Sequence, residues 1–218
     1  MMDRLKTQLP TETWVTIPWE DYIEVISDPI YEQSKSYYYR GNLRIEMLPV
    51  SFDHGKDHAM LIISIGLYAA LNKIPLNSLD TCSFRKSGLR ECQPDIACYV
   101  GEKSQAIPAG TGIINLDQYQ TPDLVIEISK SSLLDDLGTK RSLYEELGVK
   151  EYWIVDVNTA EIIAYKILDE MEFGSQRIRQ SQVFKGLGLS LLEEALRRNR
   201  ETNQSEVLAW LMNQFQVS

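Results

Sequence analysis

A chain of 218 residues with 44% hydrophobic composition can bury a substantial core and fits one domain with short terminal additions. Its net charge of -9 argues against a protein that coats nucleic acid non-specifically, since such binding relies on a broad cationic surface; a local basic groove remains open. The three cysteines, Cys82, Cys92 and Cys98, are odd in number and lack CxxC spacing, so they read as reduced thiols rather than as a disulfide framework or a structural zinc site.

The N-terminal MMDRLKTQLPTETW carries no apolar leader, and no run reaches the roughly 18 apolar residues of a membrane span, so a cytoplasmic location is expected. PWEDYIEVI at 18–26 sets Trp19, Tyr22, Ile23 and Ile26 at helical spacing behind Pro18, predicting a short helix. SYYYRGNLRIEML predicts a hairpin that turns at Gly41-Asn42. Residues 54–72 lack proline and are apolar on most sides, predicting a long helix largely buried in the core. Strands are expected at 79–86, 93–100 and 122–129, separated by the SGL turn and by a Gly/Pro-bearing loop at 101–121. A helix over 132–147 should stop at Gly148, the position glycine favours just past a helix end. EYWIVDV, EIIAYKIL and a segment at 178–184 predict three more strands, and LSLLEEALRRNR and SEVLAWLMNQF predict amphipathic helices. This order fits an α/β fold whose mixed sheet is covered by helices. Residues 1–17 read as an N-terminal extension, 18–198 as the domain and 199–218 as a helical extension packed on it.

Glu127 lies inside the apolar run Leu124, Val125, Ile126, Ile128. Removing a carboxylate from water costs several kcal/mol, so the acid must reach solvent, find a cation or bind a metal ion. Strand alternation puts Asp123, Val125, Glu127 and Ser129 on one face, and in QPDIACYV it puts Asp95, Ala97 and Tyr99 together. If these strands are neighbours, Asp95 and Glu127 converge. On the following helix, Leu133, Leu137, Tyr144 and Leu147 form a stripe with Lys140 in its middle. The lysine either snorkels and pairs with Asp136 one turn back, or carries its ammonium to the carboxylates of the preceding strand. Two carboxylates with a lysine suit metal-dependent phosphodiester hydrolysis: hard oxygens hold Mg²⁺, and the lysine orients water or stabilises charge on the phosphate.

Other residues offer weaker signals. Glu46 shares a strand face with Arg44 and reads as a surface ion pair or as a supporting acid; Asp123 reads equally as a turn cap after Pro122 or as a metal contact. His54 and His58, four apart, lack the glutamate of a zinc-protease motif and suit helix-start contacts or an accessory place near the acids. Tyr144 and Trp153 read as core packing and Asp156 as a turn acid. Residues 35–103 carry nine Lys or Arg against seven Asp or Glu. Within that stretch Arg85, Lys86 and Arg90 flank the SGL turn just ahead of Asp95, either as solvated loop charges or as a grip on phosphates.

PDI at 94–96, PDLVIEIS at 122–129, Asp136, Lys140, Tyr144 and GVKEYWIVD at 148–156, with RIEMLPVSFDH before the long helix and FKGLGLSL near the end, resemble the Uma-two family of restriction-endonuclease-like proteins within the PD-(D/E)XK nucleases. The resemblance implies a restriction-endonuclease-like core, Asp95 and Glu127 as ligands of Mg²⁺ with Mn²⁺ as a possible substitute, and DNA as the substrate. Ser129 stands where the general pattern has the lysine of Glu-x-Lys, and Lys140 is the migrated replacement; Lys130 is aimed at the opposite strand face. A homodimer would suit cutting both strands of a duplex. The competing reading is a degenerate nuclease fold kept as a binding or assembly module.

Overall fold

The computed structural model describes residues 9–48, 50–168 and 174–217; residues 1–8 of the N-terminal extension lie outside them. In chain order the strands and helices are β1 (Trp14–Thr16), α1 (Trp19–Ile26), β2 (Ser34–Tyr39), β3 (Asn42–Met47), α2 (Phe52–Leu71), β4 (Leu76–Asp80), β5 (Phe84–Lys86), β6 (Arg90–Cys92), β7 (Ile96–Val100) and β8 (Ile114–Asn115). They continue with β9 (Leu124–Ser129), α3 (Leu133–Asp135), a single π-helical turn (Asp136–Lys140), α4 (Arg141–Leu147), β10 (Glu151–Asp156), β11 (Glu161–Ile167), β12 (Ser175–Ile178), α5 (Leu189–Glu201) and α6 (Gln204–Val217). The α/β fold with a mixed sheet flanked by helices is as expected, and the hairpin expected as an addition belongs to a second sheet; the two sheets lie in two compact units interleaved along the sequence.

The first unit comprises residues up to 50 together with 83–93 and 112–119. Its sheet runs β1-β3-β2-β6-β5-β8, so the N-terminal Trp14–Thr16 serves as an edge strand paired to β3. Its small core gathers Tyr22, Val25, Tyr31, Tyr38, Leu43 and Ile45, which is the helical spacing of α1 laid on the alternation of the β2–β3 hairpin. That hairpin pairs Tyr39 with Asn42. The turn is therefore centred on Arg40-Gly41, with φ values of 48° and 78°, one residue earlier than expected. Two consecutive positive φ values are what a two-residue turn needs to match strand twist, and Gly41 meets that demand without strain.

The second unit holds residues 51–82, 94–111 and 120 onward. Its sheet runs β12-β11-β10-β9-β7-β4; β9 and β10 are parallel, joined through the α3–α4 segment, and the other pairs are antiparallel. β9 and β10 are buried along their whole length, as expected of central strands covered on both faces. Helices α2, α5 and α6 supply Met60, Leu61, Ile65, Leu192, Leu196, Val207, Leu211 and Phe215 to one core with Ile96, Ile126, Ile128, Trp153 and Val155 of the sheet. The C-terminal helical segment thus packs on its own sheet. Among the described residues no helix is long and apolar enough to cross a membrane.

Three further expectations are corrected. The strand expected over 79–86 is broken at Thr81, which adopts φ 48°, and its halves join different sheets as β4 and β5. The strand expected at 178–184 ends at Ile178, and only an isolated bridge, Gln180 to Gly188, follows. The long helix α2 buries one stripe, Asp57, Met60, Leu61, Ser64, Ile65, Tyr68 and Ala69, rather than most of its surface. The helix after β9 does stop at Gly148, in the left-handed conformation with φ 74°.

Candidate active site

β7 and β9 pair antiparallel with Ile96 opposite Ile126; continued by one residue, this register sets Asp95 beside Glu127, the neighbour relation on which their convergence depends. Asp95 is 3% exposed and Glu127 1%. Asp95 Oδ2 accepts the main-chain N–H of Ile128 at 2.7 Å, which ties its carboxylate directly to the strand carrying Glu127. The capped start of α2, where Ser51 accepts the N–H of His54, brings two imidazoles to the same acid. His54 Nε2 lies 3.3 Å from Asp95 Oδ1, and His58 Nε2 lies 3.0 Å from the Asp95 carbonyl oxygen and 3.6 Å from Asp80 Oδ1. A carbonyl only accepts, so His58 carries its proton on Nε2.

Glu127 is met from the other direction. Tyr144 donates its phenol to Glu127 Oε1 at 2.6 Å, and Lys140 Nζ sits 3.9 Å from the same oxygen and 3.0 Å from Asp136 Oδ1. Asp136 Oδ2 in turn accepts the Ser132 hydroxyl at 2.7 Å, and Ser129 Oγ lies 3.4 Å from that of Ser132. Lys140 is 1% exposed. Both sequence readings of this lysine are realised together: it pairs with Asp136 and it reaches the strand acid. In this cluster the buried carboxyl groups of Glu127 and Asp136 flank one buried ammonium, and Asp95 stands beside Glu127 on the next strand. Breaking such a buried pair costs about 3–5 kcal/mol, because the remaining partner is left charged and dry.

The π-helical turn makes this placement possible. A wider turn slows the rotation per residue, so Asp136, Lys140 and Tyr144 all stay on the buried side, while Leu133, Leu137 and Leu147 of the predicted stripe are only half-buried. Such turns recur at functional sites because they offset a helix face without ending the helix. Tyr152 of β10 donates its hydroxyl to the Asp136 carbonyl at 3.1 Å and packs its ring 4.7 Å from that of Tyr144, so the turn is braced from the sheet.

The remaining predicted residues have other partners. Asp123 sits at the opposite end of β9, where Oδ2 accepts the N–H of Val100 and Oδ1 pairs with Lys150 at 2.8 Å and Lys103 at 3.5 Å. Those contacts close the start of the strand. Glu46 belongs to the first unit and accepts from Arg44 Nε at 2.8 Å. In the same unit Arg85 is committed to the buried Glu91, and Lys86 stands opposite Arg90 across the β5–β6 hairpin. Asp156 is a turn acid, accepting from Asn158 and Thr159.

Sequence reasoning set Tyr144 aside as packing, and gave His54 only a helix-start or accessory place and Asp136 only its pairing with Lys140. The phenol of Tyr144 gave no sign of its role beyond standing four residues after Lys140. His54 was signalled by Ser51, whose cap fixes which turn of α2 faces β7. Two neighbouring groups are held out of the ordinary range by burial. Burial raises the Asp57 carboxyl above its usual value, partly offset by Arg200, and burial pushes the Cys98 thiol up to about 12, leaving it an inert core group.

Among the described residues no set of three or more His, Cys, Asp or Glu is grouped to hold a metal ion. Mg²⁺ does not require one: it commonly takes one or two carboxylates and completes its shell with water and substrate phosphate. The donor set of Asp95 and Glu127, two hard carboxylates on adjoining strands, fits that demand.

The architecture matches the crystal structure of a protein described as a "putative nuclease belonging to DUF820" from Anabaena variabilis ATCC 29413, with a TM-score of 0.54 at 15% identity, over 83% of this chain and 99% of that one. The model of the Uma2 family, described as "Putative restriction endonuclease", matches residues 19–194, and the chain belongs to that family. No curated protein matches the sequence.

Proposed function

We propose that this protein is a Mg²⁺-dependent endonuclease that hydrolyses phosphodiester bonds of DNA, with Asp95 and Glu127 as metal ligands and Lys140 as the cationic group acting on the phosphate. The observation that carries this reading is the ammonium of Lys140, buried and placed between Asp136 and Glu127. A lysine in a dry setting is costly, and it is retained where a developing negative charge will use it. Membership of a restriction-endonuclease-like family supports the same chemistry.

Mg²⁺, or Mn²⁺ in its place, would be held by Asp95 and Glu127 and would supply Lewis acidity at the phosphoryl oxygen and a bound water of lowered pKa. The chain's own groups do the positioning. The Ile128 N–H and His54 fix the two oxygens of Asp95, and Tyr144 fixes Glu127. Asp136, steadied by Ser132, aims Lys140, and the ammonium stabilises charge developing on the phosphate. Ser129 fills the place of the sheet lysine with a hydroxyl that extends this polar line. His58 steadies the main chain at Asp95. Lys86 and Arg90, on their hairpin, are assigned to phosphate contact, and Arg85 supports that hairpin through Glu91. Two copies would let one encounter cut both strands of a duplex.

The test is cleavage of DNA and RNA substrates in Mg²⁺ by the wild type and by Lys140→Ala, with thermal melting as the control for folding. DNA should be cut, and the variant should lose about 10²- to 10³-fold in turnover, the scale of removing one charge-stabilising group. Unchanged turnover in a folded variant removes Lys140 from the mechanism.

A further inference from the structure

Two large apolar side chains stand almost fully in solvent on segments that lead straight into the acid cluster. Phe52, the first residue of α2, is 79% exposed, and Leu134 of α3 is 86% exposed. Phe52 lies two residues before His54, which touches Asp95; Leu134 lies two residues before Asp136, which holds Lys140. Between them Lys130, three residues past Glu127, bridges the two segments, with Nζ 3.2 Å from Ser51 Oγ and 3.1 Å from Asp53 Oδ2. Lys56 places its ammonium 6.0 Å from the centre of the Phe52 ring. Leaving a phenylalanine and a leucine in water forgoes roughly 1.5–3 kcal/mol of burial each. An aromatic face flanked by ammonium groups is chemically suited to a nucleobase and its phosphate.

We infer that this rim, Phe52 with Leu134, Lys56 and Lys130, receives unpaired bases of the nucleic-acid substrate, so that the enzyme prefers single strands or frayed ends to intact duplex. The inference rests on the nuclease reading above and adds the form of its substrate. In a paired helix the base faces are stacked on one another, and a ring can reach them only where the strand is splayed. The overall charge of -9 leaves little room for affinity built from many phosphate contacts, so stacking has to carry a large share of it. Each rim lysine that meets a phosphate should add about 0.7 to the log–log salt slope on a single strand.

The test is fluorescence anisotropy of the full chain with one labelled oligonucleotide, single-stranded and as a blunt duplex, in the absence of divalent metal. The wild type should bind the single strand more tightly. Phe52→Ala should weaken that binding about 5- to 100-fold and leave duplex binding unchanged; Lys56→Met should lower the salt slope by about 0.7. Phe52 and Leu134 are exposed, so Leu134→Ser gives a second variant that leaves the core intact. Equal affinity for the two forms, no binding of either, or a Phe52→Ala variant that binds the single strand as the wild type does overturns the inference. Because the assay contains no metal, these outcomes are separate from a failure of Mg²⁺-dependent cleavage, which would count against the nuclease reading itself.

Discussion

Glu127 and Glu151 lie on the adjoining parallel strands β9 and β10, and each is 1% exposed, yet the chain treats the two carboxylates differently. Glu151 accepts from Trp153 Nε1 at 3.0 Å, Ser181 Oγ at 2.9 Å, the N–H of Val183 at 2.9 Å and the N–H of Gln182. All four donors are neutral, and three of them fix the loop after β12. Glu127 instead faces a phenol and a buried ammonium that is shared with a second acid. A carboxylate enclosed by fixed neutral dipoles is finished as structure; one set among titratable groups is poised for charge to arrive or leave. The first arrangement holds the fold, and the second is where chemistry is assigned.

Exchanging charge for amide at each acid should separate the two. Asp95→Asn and Glu127→Gln should each cut Mg²⁺-dependent cleavage by at least about 10³-fold, equivalent to about 4 kcal/mol of transition-state stabilisation, measured per folded molecule with melting to verify the fold. Glu151→Ala should do the reverse. It should destabilise the protein by about 3 kcal/mol in denaturant unfolding, since four donors, two of them buried, lose their acceptor, with activity per folded molecule retained. A Glu151 variant as stable as the wild type would erase the contrast.

Tyr144→Phe sharpens the comparison by removing one hydrogen bond to a charged acceptor, a loss of about 1.5–3 kcal/mol. If Tyr144 aims Glu127, metal affinity falls together with stability; if it only packs, stability falls alone. The smallest effect belongs to Glu193 of α5. Burial raises its pKa, but the hydrogen bonds from Arg179 and the Ile162 N–H outweigh burial and the net shift is downward from 4.5. A lowered folded pKa stabilises the protein above the unfolded value, and that contribution is lost as pH falls through the folded value. Arg179 is half in solvent, so the contribution is only about 0.5 kcal/mol and weakens with salt. Unfolding of Glu193→Gln across pH 3–6 should therefore converge on the wild type at the acid end.

Much of this was legible in the residues. Period-two alternation placed Asp95 and Glu127 on faces that could converge, and Gly148 marked the helix end because a positive φ is cheap there. The inward Lys140 was found from its place among leucines, although the stripe itself was drawn with the fixed rotation of a regular α-helix. The π-helical turn changes that rotation, and no residue type announces such a turn. The break between β4 and β5 was hidden for a similar reason: Thr81 adopts a positive φ that its side chain does not advertise. Tyr144 was hidden because a phenol in an apolar stripe reads as packing until the strand beneath it is known. The full extent of the sheet around the N-terminal hairpin was hidden because the first unit is assembled from three separate stretches of chain.

The most direct measurement of the central claim is calorimetric titration of Mg²⁺ and Mn²⁺ into the wild type and into the double variant Asp95→Ala, Glu127→Ala, with melting to verify that both are folded. The account predicts binding by the wild type and its loss in the variant. Equal binding by both proteins would contradict it.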